Sequence, residues 1–375
     1  MLGLRREIIA MTTMFAEKIL NEFGVGGAVL DAAPIGNGNI NETYHVILEF
    51  PNRGADSYIL QRINTSVFHE PERIMENIER IIEHMAKKAQ SYSGLKYLHT
   101  KDGHNYVIDE ENGGFWRAAP YIESCTFDMT DDLQVIRATG EAFGEFQMLL
   151  SDFDGSKLFE TINGFHNTPS RITALNEAAE RDSTGRLKNV ESELEYINRV
   201  AETACILYGE FLCDRFPVRV THNDTKANNV LFDRDTHRPI TVIDLDTVMP
   251  GMVMYDFGDA VRFIASTAAE DEADLSKITL DINKFKAFSE GFIGKVKNSL
   301  TCAELDGMVL GVFSITIELA SRFLTDYLLG DIYFKTKYAD HNLIRARCQL
   351  KLAKEIMSKY NEMNRIIVSI RERAD

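Results

Sequence analysis

Val220-Thr221-His222-Asn223-Asp224-Thr225-Lys226-Ala227-Asn228-Asn229-Val230-Leu231-Phe232 is the stretch on which the reading of this chain turns. An apolar lead-in gives way to a polar loop dense in metal and proton ligands, and apolar residues then resume. Further on, Ile240-Thr241-Val242-Ile243 reads as a strand ending on Asp244, after a turn over Asp233 to Pro239. A hairpin with that turn brings Asn229 and Asp244 to one open end. A carboxylate and an amide oxygen there make a hard, oxygen-only site with few ligands. That suits Mg²⁺, which keeps its waters and completes its shell with phosphate oxygens. Asp246 is a candidate contact for a second magnesium.

Phosphoryl transfer asks a protein mainly for positioning and charge neutralisation. It needs metal ligands, a base within reach of the acceptor hydroxyl and a cation near the transferred phosphate. Asp224 is placed as the base and Lys226 as the cation. The plainer alternative is that Asp, Asn and Thr simply populate a turn. Against it stands a glycine-rich segment earlier in the chain, described below.

The order His-x-Asp-x-x-x-x-Asn followed by a strand-terminal Ile-Asp resembles the catalytic core of the protein-kinase-like superfamily. Strand signals through about residue 122 and helical patterns beyond Asp131 predict, as the resemblance also implies, an α+β, bilobal fold: a small β-rich N-lobe over residues 1–123 and a large, mostly helical C-lobe over 124–375. The resemblance implies ATP and Mg²⁺ as cofactors. Asp256-Phe257-Gly258 spells the metal-binding tripeptide of protein kinases but lies too far beyond the hairpin. It resembles instead the aspartate that braces the catalytic loop in aminoglycoside phosphotransferases and choline kinases, so Asp256 is expected to be structural. His222 is likewise expected to brace the loop.

Before this core, β-forming runs lie at Ala28 to Ile35, Thr43 to Leu48 and Tyr58 to Leu60. Apolar Ile74, Ile78, Ile81 and Met85 mark one helical face, and a hairpin is expected over Tyr106 to Ile122. Gly36-Asn37-Gly38-Asn39-Ile40-Asn41 sits between two strands. Its glycines let the backbone approach phosphates, although Gly-Asn pairs also make ordinary hairpin turns. Ahead of the catalytic stretch it reads as the loop covering the nucleotide, with Gly36, Gly38 and Asn41 as contacts. Where protein kinases place a phosphate-binding lysine, this chain has none. Arg62 is the expected substitute and Gln61 the alternative, because a one-residue shift swaps the faces of a strand. Glu76 or Glu79 is a possible partner for Arg62. Tyr121 and Ile122 resemble the hinge whose backbone reads adenine.

Within the superfamily the chain resembles the aminoglycoside phosphotransferase and choline kinase group, and in it the N-acetylhexosamine 1-kinases. The residues carrying this are His222 to Asn229, Gly164-Phe165-His166-Asn167-Thr168, Arg322 to Leu328, Gly330 to Lys335 and His341 to Arg345. At position 167 the family pattern has Asp, and this chain has Asn. The resemblance implies transfer of the γ-phosphate of ATP to the anomeric hydroxyl of N-acetylglucosamine or N-acetylgalactosamine. Candidate substrate contacts are His166, Arg322 and Tyr327, although any one of them also reads as packing or as an ordinary ion pair. Homoserine, choline and aminoglycosides are alternative acceptors, and a catalytically inactive kinase-fold binding protein is a reading from another class. The acidic run Glu270 to Asp274 reads as a solvated loop.

Composition bounds the rest. The chain has 375 residues, 45% of them hydrophobic and 26% charged. Length favours two lobes, and the balance is that of a globular protein. No run of 18 apolar residues without a charge is found, and no signal peptide is read at the start. A formal net charge of −16 disfavours nucleic acid or an anionic membrane as partner. Five widely spaced cysteines suggest reduced thiols and a cytoplasmic setting. The expected partner is a small-molecule sugar; oligomeric state is not readable.

Overall fold

The computed structural model describes residues 13–36, 40–89, 94–111 and 114–373. The chain forms two compact units, Met1–Ser124 and Cys125–Asp375. The fold is α+β, with a small antiparallel sheet in the first unit and helices dominating the second.

In the first unit a helix over residues 13–22 (α1) precedes five strands: β1 (Ala28–Pro34), β2 (Glu42–Phe50), β3 (Gly54–Ile63), β4 (Val107–Ile108) and β5 (Phe115–Pro120). They are antiparallel and ordered β1-β2-β3-β5-β4. Alternation sorts β3 into two faces. Tyr58 and Leu60 join Val46, Leu48 and Trp116 in a core closed by Ala16, Ile19 and Leu20 of α1. The other face carries Gln61. Helix α2 (Pro71–Lys88) starts at a proline, whose missing N–H is no loss there, and buries Ile74, Ile78, Ile81 and Met85 as the spacing requires.

The second unit holds α3 (Leu133–Leu149), α4 (Thr168–Arg181), α5 (Glu191–Leu212), α6 (Val253–Ile264), α7 (Ile282–Val296), α8 (Cys302–Leu329) and α9 (His341–Arg371). Two small antiparallel pairs are set among them. β6 (Arg219–Thr221) pairs with β9 (Met249–Gly251), and β7 (Val230–Phe232) pairs with β8 (Pro239–Val242). The second pair is the hairpin expected from the turn; β9 was not foreseen. Helix α8 opens with a capping box between Thr301 and Glu304 and stops at Gly330, whose φ is 101°. Among the described residues it is the one helix long and apolar enough to cross a membrane, and 83% of its apolar window is buried within the protein. Its apolarity on every side matches its place, because α4, α5, α6 and α9 all pack on it.

Candidate active site

The site in the second unit is built around the end of β6. After Thr221 the chain turns sharply, and Asn223 takes a left-handed φ of 65°. That conformation is costly without glycine. It is held by Asp256 near the start of α6, which is 1% exposed. One oxygen of Asp256 accepts the backbone N–H of His222 and the side-chain amide of Gln147; the other accepts the N–H of Asn223. Burial pushes the Asp256 carboxyl above its ordinary value, with those donors and His222 working against it. The rest of the tripeptide is structural as well. Phe257 is 0% exposed, and a Cβ on Gly258 would lie 2.5 Å from the Gly311 carbonyl of α8. None of the three is left for metal.

His222 is a brace too. Its Nδ1 accepts the Asp224 backbone N–H at 3.3 Å, so Nε2 carries the proton and donates to the Ile243 carbonyl at 2.9 Å. The ring edges against Phe143 and Phe146.

Asp224 remains part-exposed, and its Oδ2 lies 2.8 Å from Lys226 Nζ. Burial opposes the lysine charge, but Asp224, with Asp244 and Asp259 beyond, outweighs it and holds Lys226 above its usual value. Asn229 Nδ2 donates to the Asp224 backbone carbonyl at 2.8 Å and to Oδ2 at 3.1 Å. With its NH₂ engaged in that way, Asn229 is left with its amide oxygen to offer. The Ile243 N–H donates to the Asn229 carbonyl at 2.8 Å, which sets Asn229 beside the residue preceding Asp244. Asp244 has a φ of 60° and starts a 3₁₀ turn, Leu245–Thr247, in which Asp246 is 2% exposed. Asn229 immediately precedes β7 while Asp244 and Asp246 follow β8, and their amide and carboxylate oxygens are the donor type that a hard divalent cation takes.

Thr161 Oγ1 donates to the Asp246 carbonyl at 3.3 Å and thereby ties the loop carrying His166 to this end. His166 Nδ1 is 2.8 Å from Glu318 Oε1, and the other Glu318 oxygen accepts from Thr168 at 2.7 Å. Glu318 is 1% exposed; burial opposes its charge, but His166, Thr168 and Arg322 hold it ionised below its ordinary value. Arg171 donates to the Gly164 and Phe165 carbonyls, and burial together with nearby Arg322 lowers its pKa. Two polar atoms here, His166 Nε2 and Arg171 Nε, are buried without a hydrogen-bond partner. Arg322 lies over the rings of Phe165 (5.2 Å) and Phe334 (5.6 Å), and among the described residues it makes no hydrogen bond. Asn167, where the family pattern has Asp, caps α4 by accepting the Ser170 N–H at 3.0 Å. Either residue performs that task.

Tyr327 is set apart from His166 and Arg322. It is 2% exposed, its hydroxyl accepts from Asn189 and its ring lies under Arg186. The exposed ring is that of Tyr333, at 65%. The segment carrying it is pinned by Asp326, which accepts the backbone N–H groups of Ile332, Tyr333 and Phe334 at 2.8–2.9 Å. The acidic run is not simply solvated: Glu270 binds Arg262 and Arg345, and Asp271 binds His341. Sequence reasoning also missed Asp259 and Glu318. Asp259 and Arg262, three apart in α6, carried a weak signal as a helical ion pair.

In the first unit, Gly36 has a φ of 81°, while Gly38 lies outside the described residues. Asn41 Oδ1 accepts the Asn64 N–H at 2.9 Å. Gln61 faces α2 and is engaged on both sides, donating to Thr43 and accepting from Arg117 at 2.8 and 2.6 Å. Arg117, 1% exposed, is the cation on that face. Arg62 points to the opposite face, 3.7 Å from Glu42. Glu76 pairs with Arg80, and Glu79 with Asn105 and His99. The Tyr121 N–H donates to the Ser57 carbonyl and its ring meets His45; the Ile122 carbonyl accepts from Ser124.

Solved structures share this fold at low identity. A microcompartment-associated aminopropanol kinase matches with TM-score 0.55 and 14% identity over 94% of this chain and 98% of its own. A spectinomycin phosphotransferase solved with ADP and spectinomycin matches with TM-score 0.55 and 12% identity over 97% and 99%. An ethanolamine kinase of Plasmodium vivax matches with TM-score 0.51 and 13% identity over 85% and 82%. Residues 31–280 match the profile of the phosphotransferase enzyme family, and the chain belongs to that family.

Proposed function

We propose that this protein transfers the γ-phosphate of ATP to a sugar hydroxyl, the anomeric hydroxyl of N-acetylglucosamine or N-acetylgalactosamine. The observation that carries the proposal is the convergence of Asp224, Lys226 and Asn229 on one loop, beside the hairpin end that bears Asp244. The acceptor hydroxyl attacks the γ-phosphorus, its proton passes to an Asp224 oxygen, and the bond from phosphorus to the bridging oxygen of ADP breaks. Lys226 supports the negative charge on the transferring group and keeps the Asp224 carboxylate oriented. Asn229, Asp244 and Asp246 are assigned to Mg²⁺, which when bound neutralises phosphate charge. Gly36, Gly38, Asn41, Arg62, Tyr121 and Ile122 are assigned to the nucleotide.

For the acceptor we assign His166 and Arg322, with Tyr327 in support: it stacks under Arg186, which holds Asp331 at 2.6 Å. A neutral polyol is supported by two features. His166 Nε2 and Arg171 Nε await partners, and Arg171 and Arg322 sit close enough to repel one another. A cationic amino alcohol, such as the solved structures' names describe, would add a third positive charge beside Arg171 and Arg322, set against the buried Glu318 carboxylate.

The test follows ADP release with Mg·ATP and N-acetylglucosamine, N-acetylgalactosamine, glucose, choline, homoserine and kanamycin. Turnover of the acetylated sugars, abolished in Asp224→Asn, is the expected result. Turnover of another acceptor alone discards the sugar assignment, and silence across the panel with ATP bound favours an inactive kinase fold.

A further inference from the structure

Thr225, the residue after the assigned base, has its backbone N–H on Asp259 Oδ2 at 3.1 Å and its hydroxyl on the Asp256 carbonyl at 2.6 Å. The other Asp259 oxygen accepts two bonds from Arg262, at 2.7 and 3.2 Å. Both residues are 8% exposed. Arg262 Nη1 goes on to Glu270 Oε1 at 3.1 Å, and Arg345 of α9 donates to the second Glu270 oxygen at 2.9 Å. The Arg345 guanidinium in turn lies over Phe323 (4.4 Å) and Phe334 (5.7 Å), and Phe334 is the ring that Arg322 faces from elsewhere. The links are alternately anionic and cationic, and the two innermost are buried. A carboxylate there binds both its partners or leaves a charge unpaired, so a change at one end is felt at the next link.

We propose that Asp259 is a positioning residue for the catalytic loop, and that Asp259, Arg262, Glu270 and Arg345 couple the loop to the Arg322–Phe334 wall. This rests on the assignment of Asp224 as base and of that wall as acceptor side. It adds that acceptor binding at the wall and the aim of Asp224 are set together. Charged pairs carry the coupling, through residues assigned to neither ATP nor the transferred phosphate. Glu270 is its informative member, because it is partly exposed and contacts nothing on the loop.

The experiment compares Asp259→Asn, Glu270→Gln and the double variant with the parent protein. It reads amide hydrogen exchange of the segment 222–229, kcat, KM for N-acetylglucosamine, KM for ATP and the melting temperature. Each single variant is expected to raise exchange of that segment and lower kcat/KM for the sugar roughly 3- to 30-fold, with KM for ATP unchanged. The double variant is expected to be no worse than Asp259→Asn, the mark of residues acting through one chain. Effects that multiply, or a Glu270→Gln protein with parental exchange and kinetics, overturn the proposal. If Asp259→Asn does not fold, Arg345→Met takes its place in the same cycle. Exchange is read without any acceptor. If the coupling appears there while the sugars are not turned over, the chain of pairs stands and the assigned substrate falls.

Discussion

Oδ1 of Asp256 accepts the backbone N–H of Asn223 at 2.8 Å, and Asn223 is the residue that bends through a left-handed conformation to present Asp224. A buried carboxylate thus fixes the direction of the assigned base without touching it. Asp256→Ala leaves the N–H groups of His222 and Asn223 and the Gln147 amide without their acceptor. The loss is expected to be about 3–5 kcal/mol, read as a lower denaturation midpoint, together with weak activity. A variant with parental stability would show that the loop keeps its shape unaided.

Asp224→Asn keeps volume and removes the proton acceptor. Its kcat is expected to fall roughly 10²- to 10⁴-fold, the usual worth of a placed base, with ATP affinity retained. Near-normal turnover would remove the role assigned to Asp224.

Gly258→Ala tests the reading of the tripeptide as a packing element. The added methyl meets the Gly311 carbonyl at 2.5 Å, so α6 and α8 have to separate. Overpacking of this kind is expected to destabilise by about 1–3 kcal/mol, measured by denaturant titration. A harmless substitution would mean that the two helices yield more easily than their contact suggests.

Glu355 gives a pH test away from the site. Partial burial opposes its charge, but hydrogen bonds from Lys351 and Thr279, with Lys359, outweigh it and pull its pKa from 4.5 to about 2. A lowered folded-state value stabilises above the unfolded value, and that contribution disappears as pH falls to the folded one. The stability gap between the parent and Glu355→Gln is therefore expected to close between pH 4.5 and about 2. A gap independent of pH in that window would refute the assigned ionisation.

The hairpin after the polar loop was legible because its signal is local. A polar run between apolar segments, followed by a turn and a strand-terminal Asp, is enough to expect the hairpin, whose backbone sets Asn229 beside the residue preceding Asp244. The helix carrying Ile74, Ile78 and Ile81 was legible from period alone. Pairings between residues far apart in the chain were not. Nothing near Gln61 announces that Arg117 on a neighbouring strand will bind its amide oxygen, or that Glu270 will leave an acidic run to join Arg262 and Arg345. Tyr327 and Tyr333 look alike on paper. Only the turn at Gly330 and the bonds of Asp326 decide that one ring is buried and the other exposed. Helix α8 hides Glu318 for a related reason: when every side is apolar, no periodicity points to the carboxylate that matters.

Asp326 has one more consequence. By taking the amides of Ile332, Tyr333 and Phe334, it spends the three backbone donors that would otherwise make this surface a cradle for any passing anion. What remains beside Phe334 is ring surface, with the guanidinium groups of Arg322 and Arg345 over it. An anion arriving there would meet side-chain cations alone, without the nest of backbone amides that an open loop of this kind can offer.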